Sequence, residues 1–439
     1  MDLARAVKEG TLELICPEME LLVCPSYHES ALKGMGVIRS DDLGRLYFRM
    51  ISPFSGAGAR HKSLFGSKPL GELYAQEDYV MLRAVDENGD EWRSSLLRID
   101  LSNQIPVSGY QVRSNLFSIS RSRERKQIDH SSVRILIPGV SALPFDSLTH
   151  NRRSVDGQEI GFSSSFDHHQ HTIDAATVTF RREEGGFLSV SAFHDGILLP
   201  TWARLMCHTL SFAVAQTMLP IVIARDLNNR EDLSLHSGPF WHYASIMYSP
   251  VPFTDVQGTR DFWRLIQLFF LYVEKQQIEP NPLLDELEGI RRGSQGSLQT
   301  ACLTLAVGIE SIAKLLLDDE FSPLVGRPSI EPLLRHLDSW QGDVGLKGRA
   351  RGALSRLMDV GTADLMYAWA AKTGTSEQLV DAWKKLRHPR AHGERLAQES
   401  GWVLYCSAVE LLHRLVAYAV DYNGPILKTS EPGWGLRQP

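Results

Sequence analysis

The sequence predicts an α+β protein: a β-rich N-terminal domain over residues 1–258, an all-α helical bundle over 259–425 and a loose tail over 426–439. Three observations carry this. Up to about residue 255, short runs alternate apolar and polar residues between turn signals. Beyond Thr259 the apolar spacing changes to three and four residues, the period of a helix. Across all 439 residues, 43% are apolar and 22% charged, the balance of a chain that buries proper cores rather than a disordered, collagenous or coiled-coil one.

In the first part, the segments 34–51, 79–99, 132–140 and 176–193 read as strands. Asp41-Asp42-Leu43-Gly44, Asn88-Gly89 and Gly185-Gly186 supply residues that tolerate positive φ, so each marks a hairpin. The stretch 205–224, LMCHTLSFAVAQTMLPIVIA, carries no Asp, Glu, Lys or Arg over a membrane-spanning length. Its interior His, Thr, Ser and Gln residues, Pro220, and the flanking Arg204 and Arg225 favour a buried helix followed by a short strand. The run 234–249 reads as strand-like, and its Phe240, Trp241 and Tyr243 as core packing.

Six helices are expected in the second part, over 261–275, 297–317, 330–340, 349–358, 376–386 and 402–422. The first is closed by Pro280 and Pro282. In the second, Leu298, Ala301, Leu305, Ile309, Ile312 and Leu316 form one stripe; in the last, Val403, Leu404, Leu411, Leu412, Leu415 and Ala419 do. Such stripes bury most simply in a bundle.

Five cysteines, Cys16, Cys24, Cys207, Cys302 and Cys406, are widely spaced with no C-x-x-C pair, so reduced and buried thiols are expected. The N-terminal residues lack the apolar core and cleavage pattern of a secretory signal, which points to the cytoplasm and away from a membrane.

The net charge is −6, which argues against general nucleic-acid binding. The charge is unevenly distributed. From 341 to 395 there are ten Lys or Arg against six Asp or Glu, and the segment 384–394, KKLRHPRAHGE, is the densest. Pro389 is expected to break the helix after Arg387 and to open the next one, so that Arg387 and His392 meet at a helix N-terminus, where free N–H groups favour a bound phosphate.

The pattern R-H-x-x-x-H formed by Arg387, His388 and His392 resembles the signature of HEPN ribonucleases: an Arg, a polar residue and a His a few residues on. The upstream GIESIAKLLL at 308–317, with Glu310, and the order of a β-rich domain before a helical one are similar to the Apea-like branch of abortive-infection proteins. The resemblance implies a metal-independent endoribonuclease of anti-phage abortive infection, with RNA as partner and no cofactor. It also implies a homodimer in which two copies of the motif share one cleft.

RNA carries its own nucleophile, the 2′-hydroxyl, and cleavage leaves a 2′,3′-cyclic phosphate and a 5′-hydroxyl. In this reading His392 moves the protons, since imidazole titrates near neutrality. Arg387 holds phosphate oxygens with its planar fork, and His388 orients or shares a proton. Lys384, Lys385 and Arg390 track the RNA backbone. Glu310 supports the motif or pairs with its arginine. A phage-derived trigger or other ligand would act on the N-terminal domain. The alternative is a non-catalytic RNA- or protein-binding dimerisation module with a ligand-sensing N-terminal domain.

Two other features compete. His168, His169 and His171, with Asp167 and Asp174, offer metal-ligating side chains, but on a loop with H-H-x-H spacing, which favours a solvated or partner-binding loop. The glycine-rich 55–71 lacks the strand, spacing and helix of a phosphate-binding loop.

Overall fold

The computed structural model describes residues 2–23, 30–52, 79–97, 99, 104–105, 109–125, 130–140, 143–155, 158–227, 229–238, 246–253, 256–318, 327–356, 361–391 and 398–431. The chain is α+β: an antiparallel sheet region followed by an all-helical region. Residues 1–207 with 218–242 form one compact unit, and 208–217 with 243–439 form another.

The first unit opens with α1 (Asp2–Lys8), followed by β1 (Glu13–Val23), β2 (Ser30–Ser40), β3 (Leu46–Ser52), β4 (Val80–Val85) and β5 (Glu91–Ser94). Then come β6 (Gln104–Ile105), β7 (Gly109–Leu116), β8 (Ser118–Glu124), β9 (Ser131–Pro138) and β10 (Ser147–Val155). The chain continues through β11 (Gln158–Ile173), β12 (Ala176–Glu183), β13 (Phe187–His194), the helix α2 (Trp202–Ala213), which belongs to the second unit from His208 on, β14 (Val222–Leu227) and β15 (Arg230–His236). All described strands join one sheet in the order 10-11-12-13-9-14-15-8-5-4-1-2-3-7-6.

Alternation builds this sheet. In β3 Leu46, Phe48, Met50 and Ser52 are buried, and in β4 Val80, Leu82 and Ala84, while the residues between them are not. These side chains join Trp92, Val112, Ile119, Leu233 and Leu235 in one apolar core. The three expected hairpins form, with Gly44, Gly89, Gly185 and Gly186 all at φ between 72° and 80°. The 205–224 stretch is the end of α2 followed by the start of β14, as expected. The strand-like reading of 234–249 holds only to His236, where β15 ends; Phe240, Trp241 and Tyr243 lie outside the described residues. The glycine-rich 55–71 and Cys24 lie outside them too. The four described cysteines are free and buried.

The second unit contains α3 (Val256–Gln276), α4 (Pro282–Ser294), α5 (Leu298–Leu317), α6 (Arg327–Ser339), α7 (Val344–Arg356), α8 (Thr362–Thr373), α9 (Glu377–Ala391) and α10 (Gln398–Ala419). Two of these were not expected. Pro282 does not close α3 but begins α4 at its first turn, where Asn281 caps it by accepting from the N–H groups of Leu283 (3.1 Å) and Leu284 (3.3 Å). Helix α8 has short apolar runs and ends on Gly374 in the left-handed conformation.

Helices α4 and α5 approach closely. A Cβ at Gly293 would lie 2.0 Å from Thr304 Oγ1, and one at Gly308 would lie 2.5 Å from Ile290 Cδ1. In α5, Ala301, Leu305, Ile309 and Ile312 are buried as the stripe predicts, while Leu298 and Leu316 at its two ends are only partly buried. In α10 burial runs almost all round, from Tyr405 to Leu412 and on to Val416, so it is the central helix of the unit; Val403, expected on the buried stripe, is exposed. Helix α5 is long and apolar enough to cross a membrane by length and composition, and half of that stretch is buried within the structure. The described part of the tail is tied down rather than loose. Thr429 Oγ1 donates to the Cys406 carbonyl at 2.6 Å, Ser430 donates to Glu410, and Leu427 is buried.

Candidate active site

Helix α9 brings the basic segment against α5. The spacing of α9 decides which side chains face inward: Val380, Trp383 and Leu386 are fully buried, with Leu379 and Ala382 nearly so. Trp383 anchors the helix by donating its indole N–H to the Ala306 carbonyl of α5 at 2.9 Å. One turn later on the same face, Arg387 reaches Glu310 of α5. Its Nε lies 2.8 Å from Oε2 and its Nη2 donates to Oε1 at 3.0 Å, a two-point fork between residues 77 apart in sequence. The guanidinium also sits over the Trp383 ring at 5.7 Å, and Lys314, one turn on from Glu310, approaches the same carboxylate at 3.3 Å. Glu310 is thus the ion-pair partner of the motif arginine, one of the two roles expected for it.

The neighbouring cations divide. Lys384 lies over the Tyr367 ring of α8 at 5.2 Å, and the Tyr367 hydroxyl donates to Asp381, which pushes the phenol up to about 12. Lys385 is exposed and makes no ion pair among the described residues. The backbone of His388 and Arg390 belongs to α9, but the positions of their side chains are not described, and His392 lies outside the described residues.

One expectation is corrected here. The helix does not break after Arg387; it runs through Pro389 to Ala391. Pro389 has no N–H for the carbonyl of Lys385 and its ring crowds that carbonyl, but the helix ends two residues later at Ala391, so little of it follows the disruption. Arg387 therefore stands in the last turns of α9, at the negative end of the helix dipole. The argument from a helix N-terminus does not apply to it; that end favours the cations themselves.

The arrangement leaves Arg387 part of its chemistry. Two of its five N–H groups are committed to Glu310, its side chain is 41% exposed, and the remaining donors can take a phosphate without breaking the pair. Trp383, Tyr367 and Lys314 were not singled out from sequence. Trp383 stands four residues before Arg387 and Lys314 four after Glu310, so same-face spacing was the available signal.

The histidine cluster is not a loop. Residues 167–171 lie in β11, whose alternation splits them: His169 and His171 stack on one face, 5.8 Å between rings, and His168 takes the other, 3.1 Å from Asp167. His169 pairs across the strand with Phe180 and lies 2.9 Å from Asp146; burial lowers its pKa. Among the described residues no group of three His, Cys, Asp or Glu is placed to hold a metal ion.

Comparison with protein-family models, with curated proteins and with solved structures returns no match.

Proposed function

We propose that the protein is a metal-independent endoribonuclease of the HEPN type, acting in the cytoplasm as a homodimer in anti-phage abortive infection and cutting cellular RNA such as tRNA. The observation that carries the reading is the Glu310–Arg387 fork. It holds the motif arginine rigid at the end of α9, beside Lys384 and Lys385 and next to the segment that contains His392. A preorganised guanidinium with free N–H groups is what a phosphorane-like transition state requires. His392 supplies acid–base chemistry and His388 orients it; Lys384, Lys385 and Arg390 hold the RNA backbone.

The dimer is supported by α5, which turns Leu303 (45%) and Val307 (52%) to solvent one turn apart, on the side of the helix that carries Glu310. A second copy covering that stripe would bring two Arg387 side chains towards one cleft.

The test is incubation of purified protein with total RNA in EDTA, comparing wild type with Arg387→Ala and His392→Ala. Wild type should produce 2′,3′-cyclic phosphate ends and each variant should lose at least about 100-fold in rate. Equal cleavage by all three proteins, or none by any, would overturn the reading. Commitment of two Arg387 N–H groups to Glu310 rather than to a substrate favours the alternative of a non-catalytic RNA- or protein-binding module. In that case RNA binding survives His392→Ala and no cyclic phosphate is formed.

A further inference from the structure

Four neighbouring strands of the sheet, β5, β8, β15 and β14, line an open-mouthed cavity of about 680 Å³. Its chemistry follows from register. Arg225 stands opposite Asp232, which stands opposite Ser122; Ile223 stands opposite Ser234, which stands opposite Ser120. These positions alternate with Val222, Leu233, Leu235 and Ile119, which are buried on the other face, so the polar set shares one face and the core takes the other.

Most cations around the cavity are already matched. Arg93 pairs with Glu91, Arg121 with Asp90, and Arg230 with Asp232. Arg225 is the exception. It is half-buried, its Nε is closed off from water with no hydrogen-bond partner, and the charge that offsets it is Asp232 on the next strand. One alternate position beyond Ser234 on the same face, His236 likewise has a buried Nε2 without a partner. The hydroxyls of Ser120, Ser122 and Ser234 and the carboxylate of Glu124 make no hydrogen bond to a described residue. A guanidinium partly withdrawn from water beside three uncommitted hydroxyls is a donor set for a tetrahedral oxyanion.

Two features narrow the ligand. The volume falls in the range of metabolite pockets, roughly 300–1,000 Å³, far more than a lone phosphate fills. Yet among the described lining residues Ile223 is the one apolar side chain and none is aromatic, so there is no flat face for a nucleobase. The carboxylates instead suit a hydroxyl-rich body, because they only accept hydrogen bonds.

We propose that this cavity is a binding site for a phosphorylated sugar, with the phosphate on Arg225 and the serine hydroxyls, and the sugar hydroxyls on Glu124 and Asp232. The site lies wholly within the sheet unit and does not depend on whether the helical unit cleaves RNA.

Calorimetric titration of the full chain tests this, with ribose 5-phosphate and glucose 6-phosphate as probes and ribose and citrate as controls. At least one sugar phosphate should bind saturably at sub-millimolar concentration, and ribose should not. Arg225→Gln should weaken that binding at least about tenfold, as loss of a charge-assisted hydrogen bond does, and Arg225→Lys should restore part of it. Ser234→Val, checked for an unchanged melting temperature, should weaken binding as well, so that the outcome does not hang on the folding of one variant. No saturable heat from either sugar phosphate up to about 5 mM would overturn the assignment, given the affinity expected of such a pocket. So would equal affinity in wild type and Arg225→Gln, or binding of citrate alone.

Discussion

In the sheet unit the carboxylate of Asp90 is buried between Arg121 and Arg123, and Asp86 accepts the Trp92 indole N–H at 3.0 Å. In the helical unit the Trp369 indole nitrogen, the Tyr405 hydroxyl and both ring nitrogens of His413 are buried without a hydrogen-bond partner. The turn between β4 and β5, which holds both carboxylates, explains the contrast. Strand pairing sets Trp92 opposite Arg121, about 5 Å apart, so a turn at the end of these strands delivers its carboxylates to both side chains. Helices packed through interlocking apolar stripes have no such register, and a polar atom on an inward face meets whatever the neighbouring helix presents. Both units leave some buried polar atoms without a partner, among them Arg121 Nε, Arg225 Nε and His236 Nε2 in the sheet, but the sheet unit carries more paired charge among its described residues, whereas the helical unit relies more on apolar burial, with Arg414 forked on the buried Glu410 and Arg387 on Glu310 nearer the surface.

The sharpest way to break this comparison is to empty the helical core. Trp383 is fully buried, and Trp383→Ala should cost about 4 kcal/mol. Hydrogen exchange should then show loss of protection in α5, α9 and α10, with β1–β5 unaffected; equal loss in both regions would mean that the two units share one cooperative core. Next in size is Asp90→Asn, expected to cost about 3 kcal/mol because it strands Arg121, whose side chain is 15% exposed, without its partner. Here the strands should lose protection first.

Acid separates the two chemistries. Burial pushes His413 down to about 3, so the folded state keeps it neutral while the unfolded chain binds a proton below about 6.5. Its contribution to stability is intact above that value and is lost as pH falls. His413→Leu should recover about 2 kcal/mol at pH 5 relative to wild type, and proportionately less at pH 7. Asp90 is lowered as well, but because its charged form is favoured: the hydrogen bond from Arg123 and the charges of Arg121 and Arg123 hold it below the usual carboxylate range. Its contribution survives to about pH 4 and is lost only below that. Thermal melts of wild type, His413→Leu and Asp90→Asn across pH 7 to 3 distinguish the two windows.

The smallest expected change in stability is at the candidate site. Glu310→Gln removes a pair whose arginine is 41% exposed, so it should cost less than about 1 kcal/mol. It should nevertheless lower any cleavage rate by releasing the Arg387 fork. A full-rate Glu310→Gln variant would remove the carboxylate from the mechanism and leave the pair as a surface contact.

Much of this was legible in the amino-acid order, because its causes are local. Glycines at 44, 89, 185 and 186 mark hairpins through a backbone preference they carry themselves, and the α5 stripe at Ala301, Leu305, Ile309 and Ile312 is a matter of three- and four-residue spacing. The misreadings have physical reasons as well. Pro282 and Pro389 both read as breaks in the sequence, yet a proline is welcome in a first turn and one two residues from a helix end interrupts little, and sequence alone does not say which turn it occupies. The run DHHQH at 167–171 reads as a loop because polar residues hide the alternation; β11 acquires it from its pairing with β12, whose Val178 and Phe180 oppose His171 and His169.

By itself, then, the sequence determined the α+β order, the turns, the apolar faces and the place where cations gather around Arg387. Only the tertiary structure decided that the arginine's partner is Glu310, that its helix continues past Pro389, and that Arg225 lies in a cavity among serines with no carboxylate fork of its own. The reason is distance along the chain. Spacings of two to four residues are fixed by backbone geometry, but a contact across 77 residues exists only once α5 and α9 have packed, and the strand register that assembles the cavity from β5, β8, β14 and β15 is set by the whole sheet.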